Sequence, residues 1–267
     1  MQYRAGDAKE AHERAVEVYG SRCEMPEEWK TATVEDVQDY LELFYHLCQL
    51  GEYVQAFDVI RNNPGDYKKS VSQFLYIRGY NALRIELYLQ LVPHLPNQQD
   101  WRYTASLTEL GNAYDSQGDY ESAISFHQQS LEIKREIGDR SGIANSFMGL
   151  GNAYDSQGDY ESAISFHQQS LEIRQQIGDK PGEIRSLQNL SIAHSQLGQY
   201  QQASYYNQQL LELQGLDALP TAPWFKSFIR FAQKGWFNFA LCFIAGVVAF
   251  PFALLWFIAV LLYRRIR

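Results

Sequence analysis

An all-α solenoid of antiparallel helix pairs, followed by a C-terminal transmembrane helix, is the fold class this sequence predicts. Three observations lead to it. The stretch Gly111–Ile133 recurs letter for letter at Gly151–Ile173, a period of 40 residues, and a diverged copy follows at the same spacing over Ser191–Leu213. Within each copy, apolar spacing and glycine punctuation spell two helices with a tight turn between them. Finally, Trp236–Tyr263 runs 28 residues without one charged side chain.

The first copy shows how the residues dictate this. Leu107, Leu110 and Tyr114 fall at i, i+3 and i+7, one face of a helix. Gly111 beside them removes a side chain, so a neighbouring helix can come close. Gly118 stops that helix as a left-handed C-terminal glycine does. Asp119 is placed to cap the next helix, with Glu121 in its first turn near the positive helix end. The second helix presents Tyr120, Ala123, Ile124, Leu131 and Ile133 and closes at Gly138-Asp139. The later copies repeat the punctuation at Gly158-Asp159, Gly178-Asp179 and Gly198-Gln199.

These positions resemble the tetratricopeptide-repeat (TPR) signature, which Leu107, Leu110, Gly111, Tyr114, Gly118, Tyr120 and Ala123 occupy. The chain departs from it at His127 and Ser130, and the closing proline is absent. The 40-residue period is similar to that of LGN/Pins regulators, kinesin light chains and cyanobacterial repeat arrays. Three repeats are therefore expected over 101–214. Upstream, Tyr40, Leu43, Leu47, Gly51, Tyr53 and Ala56 follow the same signature, so 37–61 reads as a degenerate repeat. Asn62–Gly65 is a turn cluster. Ser70–Leu91 reads as a further apolar helix pair and 8–19 as one more helix, making 1–100 a degenerate helical lead-in. That lead-in also resembles the one before repeat arrays of STAND-type signalling ATPases, but no G-x-x-x-x-G-K-[ST] loop occurs.

Charge narrows the function. Residues 1–222 carry 17 basic against 31 acidic side chains, whereas 223–267 carry six basic and none acidic. An acidic body repels phosphate backbones, so nucleic acid is not an expected partner, while the basic tail suits anionic lipid. Cys23, Cys48 and Cys242 form no pair at metal or redox spacing, which fits a reducing compartment. The first twenty residues hold no apolar run, so no signal peptide is expected.

Catalytic and metal sites find no foothold. His127 and His167 stand one repeat apart, about 8–10 Å or more in a stack of helices, too far to share a metal. They read instead as half-buried histidines where the family usually has an aromatic residue. No hydrolase, metalloprotease or phosphate-loop motif appears, so the expectation is a non-enzyme without cofactor or metal. The Asp-Tyr-Glu runs at 119–121 and 159–161 read as helix caps.

A binding groove is what the resemblance implies. In that geometry first-helix residues line the concave face: Thr108, Asn112 and Asp115, then Asn145, Met148, Asn152 and Asp155, then Arg185, Gln188, Ile192 and Ser195. Amides both donate and accept, so such a surface can hold the backbone of a protein or peptide partner; solvated polar positions would look the same. Arg185 is the only cation expected there, too few for a clamp on acidic chaperone tails.

The tail has its own logic. After a linker over 215–223, Trp224, Phe225, Phe228 and Phe231 share one helical face over 224–235. Lys226, Arg230 and Lys234 form a basic stripe opposite. That pattern suits a helix lying in the membrane interface, or a cap on the exposed edge of the last repeat. As a helix, the uncharged 236–263 segment would reach about 42 Å, more than a bilayer core. Pro251 leaves two paths open, a kinked single span and a re-entrant hairpin. The expected function is a membrane-anchored scaffold with its repeats on the cytosolic side. The alternative is a sensor working with a STAND-type ATPase effector.

Overall fold

Helices, and the turns between them, account for the described chain. A computed structural model describes residues 5–29, 31–61, 70–95 and 100–214. The expected interfacial helix (Trp224, Phe225, Lys226, Phe228, Arg230, Lys234) and the span Trp236–Tyr263 lie outside them. Among the described residues no helix is long and apolar enough to cross a membrane.

The lead-in holds α1 (Ala5–Gly20), α2 (Gln38–Gln49), α3 (Tyr53–Arg61), α4 (Val71–Ile77) and α5 (Asn81–Leu91), with short 3-10 turns at Val34–Val37 and Val92–His94. The repeats follow as α6 (Trp101–Gln117) with α7 (Tyr120–Glu136), α8 (Arg140–Gln157) with α9 (Tyr160–Ile177), and α10 (Lys180–Gln196) with α11 (Tyr200–Leu213). Residues 1–210 form one compact unit; a second begins at Leu211.

Capping explains the sharp helix starts. Asp119, Asp139, Asp159 and Asp179 each accept a backbone N–H three residues on, at 2.9 to 3.1 Å. Each satisfies one of the orphan amides of a new helix, an effect of about 1 kcal/mol. Gly118 and Gly158 close the preceding helices at φ +83° and +90°, where any Cβ is strained.

From α1 to α10 each helix packs on its chain neighbours, and the first helices α6, α8 and α10 also touch in series, so they share one face of the stack. The two halves fill their interiors differently. The lead-in, whose repeat signature is degenerate, buries Phe44, Phe57, Ile60, Phe74, Leu75, Tyr88 and Leu91 in a large apolar core that reaches Leu110 and Ala113. The repeats bury leucines such as Leu107, Leu150 and Leu190 and set among them many alanines and serines, such as Ala123, Ala153, Ala163, Ser130, Ser146, Ser170 and Ser186. Their hydroxyls stay bonded: Ser170 donates to the Ala144 carbonyl at 2.9 Å and Ser186 donates to Ser170 at 3.2 Å. Small side chains let the helices approach closely and bring polar groups within reach of one another.

The halves are joined by charge as well. Glu109 on α6 accepts from Arg84, 2 % exposed, at 2.7 Å and from Arg61 at 3.1 Å. Removing Glu109 would strand a buried guanidinium, so its loss is far more costly than that of a surface ion pair.

Candidate functional site

The histidines are more deeply enclosed than their sequence suggests. His127 and His167 are not half-buried; each is 1 % exposed. The reason is glycine on the facing helices. A Cβ placed at Gly111 of α6 would stand 2.7 Å from the His127 ring, and one at Gly149 of α8 would stand 2.6 Å from it. The ring thus lies where two first helices leave a slot. His167 meets Gly151 in the same way, but Asn189 occupies the position equivalent to Gly149. Neither Nδ1 has a hydrogen-bond partner among the described residues. Burial pushes both imidazoles down to about 4, aided at His127 by the charge of Lys134. They are neutral packing elements at pH 7. Elsewhere, His12 and His46 meet with their Nδ1 atoms 2.7 Å apart. Among the described residues no group of three or more histidine, cysteine or acidic side chains could hold a metal.

A cavity of about 590 Å³ opens on the face shared by α6, α8 and α10. It brings together Thr108, Asn112, Asn145, Met148, Asn152 and Arg185; Asp115, Asp155 and Gln188 do not line it. The amides are differently committed. Asn152 Oδ1 accepts from Asn189 at 2.9 Å, and Asn145 accepts from Arg174. Asn112 has no side-chain hydrogen bond among the described residues. Its amide faces the cavity with both functions available.

Arg185 is not the only cation there, contrary to expectation. Lys134 and Arg61 line the same cavity, together with the carboxylates of Glu109 and Asp139. Sequence reasoning missed both because they belong to α7 and α3, not to first helices. Lys134 reaches the cavity because Gly142 leaves room for its stem: a Cβ there would stand 2.8 Å from Lys134 Cδ. The signal was in the repeat itself, since a cation precedes a glycine by eight residues in both Lys134…Gly142 and Arg174…Gly182. Burial lowers the Lys134 ammonium to about 8, with Asp139 opposing that shift.

Asp115 and Asp155 sit near the C-terminal ends of α6 and α8. Each keeps one buried carboxylate oxygen without a partner among the described residues. Burial raises both above the ordinary carboxylate range, and at Asp155 the charge of Asp115 adds to it.

Comparison with known proteins fits this geometry. The tetratricopeptide-repeat family model matches residues 103–176 and 142–214. Response regulator aspartate phosphatase H of Bacillus subtilis (strain 168) is 28 % identical over 107 residues, 36 % of this chain and 28 % of that protein. The chain therefore spans just over a quarter of the length of that relative. Two solved structures share the fold. The apo form of RapI superposes with a TM-score of 0.59 at 15 % identity, covering 92 % of this chain and 85 % of that one. A Rap protein complexed with competence and sporulation factor gives 0.51 at 11 % identity, covering 93 % and 77 %.

Proposed function

The chain is a tetratricopeptide-repeat protein, and from that premise we propose that it is a membrane-anchored scaffold. It takes an extended segment of a protein partner in the cavity across α6, α8 and α10, on the cytosolic side of a membrane. The observation that carries the groove reading is the Asn112 amide, without a side-chain hydrogen bond among the described residues, beside Asn145 and Asn152 in an open cavity. An amide both donates and accepts, so it can pair with a peptide unit whatever side chain follows. The Rap protein captured with competence and sporulation factor shows that the fold accommodates a bound factor. Binding is the role assigned to these residues.

Replacing Asn112 and Asn152 together by alanine is expected to weaken a groove-bound peptide by about 2 kcal/mol, roughly thirtyfold. Melting should change little, since Asn112 has no side-chain hydrogen bond among the described residues and the Asn152–Asn189 bond lies at an exposed position. Titration of a fluorescent peptide against wild type and the double variant measures it; equal affinities would remove the groove assignment.

The anchor rests on the uncharged run 236–263 and the six basic residues of 223–267. Membranes from cells expressing the full chain should retain it through alkaline carbonate extraction and release it to detergent. Release by carbonate alone would refute the anchor while leaving the groove reading intact.

A further inference from the structure

The first helix of the chain is lightly held. Among the described residues α2 is the only helix that α1 packs against extensively, and no side chain from Asp7 to Tyr19 is fully buried. Val16 and Tyr19 rest on the apolar core of the lead-in. One side-chain hydrogen bond completes the joint: His12 of α1 meets His46 of α2, Nδ1 to Nδ1, at 2.7 Å. Tyr19 stacks on the His46 ring, and Tyr45 meets both imidazoles edge-on. None of these residues lines the cavity across α6, α8 and α10.

Such a contact is a hydrogen bond only while one Nδ1 carries a proton and the other offers its lone pair. When both rings are neutral, one N–H donates across the joint. A first added proton enters at Nε2 of the donor ring and keeps the bond, now an imidazolium donating to an imidazole. A second proton has one lone pair left to take, the Nδ1 that accepts the bond. Its arrival turns two N–H groups against each other and puts like charges on rings whose centroids are 5.0 Å apart. The docked pair thus holds one added proton and the separated rings hold two.

The surrounding charges leave this balance in place. On α2, Glu42 stands one turn before His46 and favours its charged form, but burial and the His12 ring prevail and lower the His46 imidazole. Glu42 also accepts from Gln38, while Asp39 acts on Cys23. On α1, Lys9 is paired with Glu13 and Arg14 with Glu10, all at exposed positions.

We propose that His12 and His46 form an acid-released latch: at neutral pH α1 lies on α2, and uptake of the second proton frees it before the stack unfolds. Fewer protons are bound docked than undocked, so docking is favoured at high pH and is lost as pH falls below about 6.5. A terminal helix with one extensive neighbour opens at a smaller cost than the repeats behind it. Release makes the α2 face that α1 covers accessible in acid alone.

Hydrogen–deuterium exchange of the full chain in detergent, at pH 7.5 and 5.5 and corrected for the intrinsic pH dependence of amide exchange, reads the latch. Protection of residues 7–20 should fall about tenfold, as uptake of one proton across about one pH unit dictates. The His12→Phe, His46→Phe variant keeps two rings beside Tyr19 and Tyr45 but has no proton to exchange, so α1 should be equally protected at both pH values. Undiminished protection in the natural chain, or the same fall in the variant, would overturn the latch. If the variant does not dock α1, ring NMR of the natural chain decides. The two imidazoles should then titrate in two separate steps, with α1 exchange rising at the second. Independent single steps near the ordinary histidine value would overturn it.

Discussion

Alanine at position 149 is expected to destabilise the repeat domain by about 2 kcal/mol although it adds a single methyl group, because overpacking a closed site forces its neighbours off their minima. The His127 ring is held from both sides, 2.7 Å from a Cβ at Gly111 and 2.6 Å from one at Gly149, so it cannot swing away from either. The third copy supports the pairing. Where His127 faces Gly111 and His167 faces Gly151, the equivalent positions hold Asn207 and Ser191, a smaller side chain opposite a larger one. Urea titration of Gly149→Ala, His127→Asn and the double variant tests the point. The double variant should be more stable than the sum of the singles by at least about 1 kcal/mol, the coupling that residues in contact show. Strict additivity would mean that the slot is not where the helices meet.

Acid should unfold this domain earlier than its carboxylates would dictate. His127 and His167 are held near 4 in the folded chain and return to about 6.5 when exposed, so unfolding takes up two protons between those values. With more protons bound by the unfolded state, stability rises with pH through the window and is lost as pH falls from 6.5 towards 4. The loss is on the order of 3 kcal/mol per histidine. Asp115 and Asp155 work against it, because their raised values let the folded state keep protons at the acid end. Comparison with the His127→Asn, His167→Asn variant cancels that contribution. Melting temperatures between pH 7 and pH 4 should fall steeply for the natural chain and much less for the variant. Parallel curves would show that the imidazoles take up protons without unfolding.

The sequence by itself determined the helix pairs, their 40-residue period and the caps that bound them. All three are local: Asp119 and Gly118 act within a few residues of where they stand, and verbatim repetition shows each solution twice. Through its resemblance to the repeat family it also marked Asn112, Asn145, Asn152 and Arg185 for one face. Tertiary structure alone decided how far the histidines are buried, because that depends on Gly149, twenty-two residues further on in a different pair. It alone brought Lys134 and Arg61 to the cavity from α7 and α3. A side chain's exposure and its charged partners depend on what the neighbouring helices place against it, and no period along the chain encodes that distance.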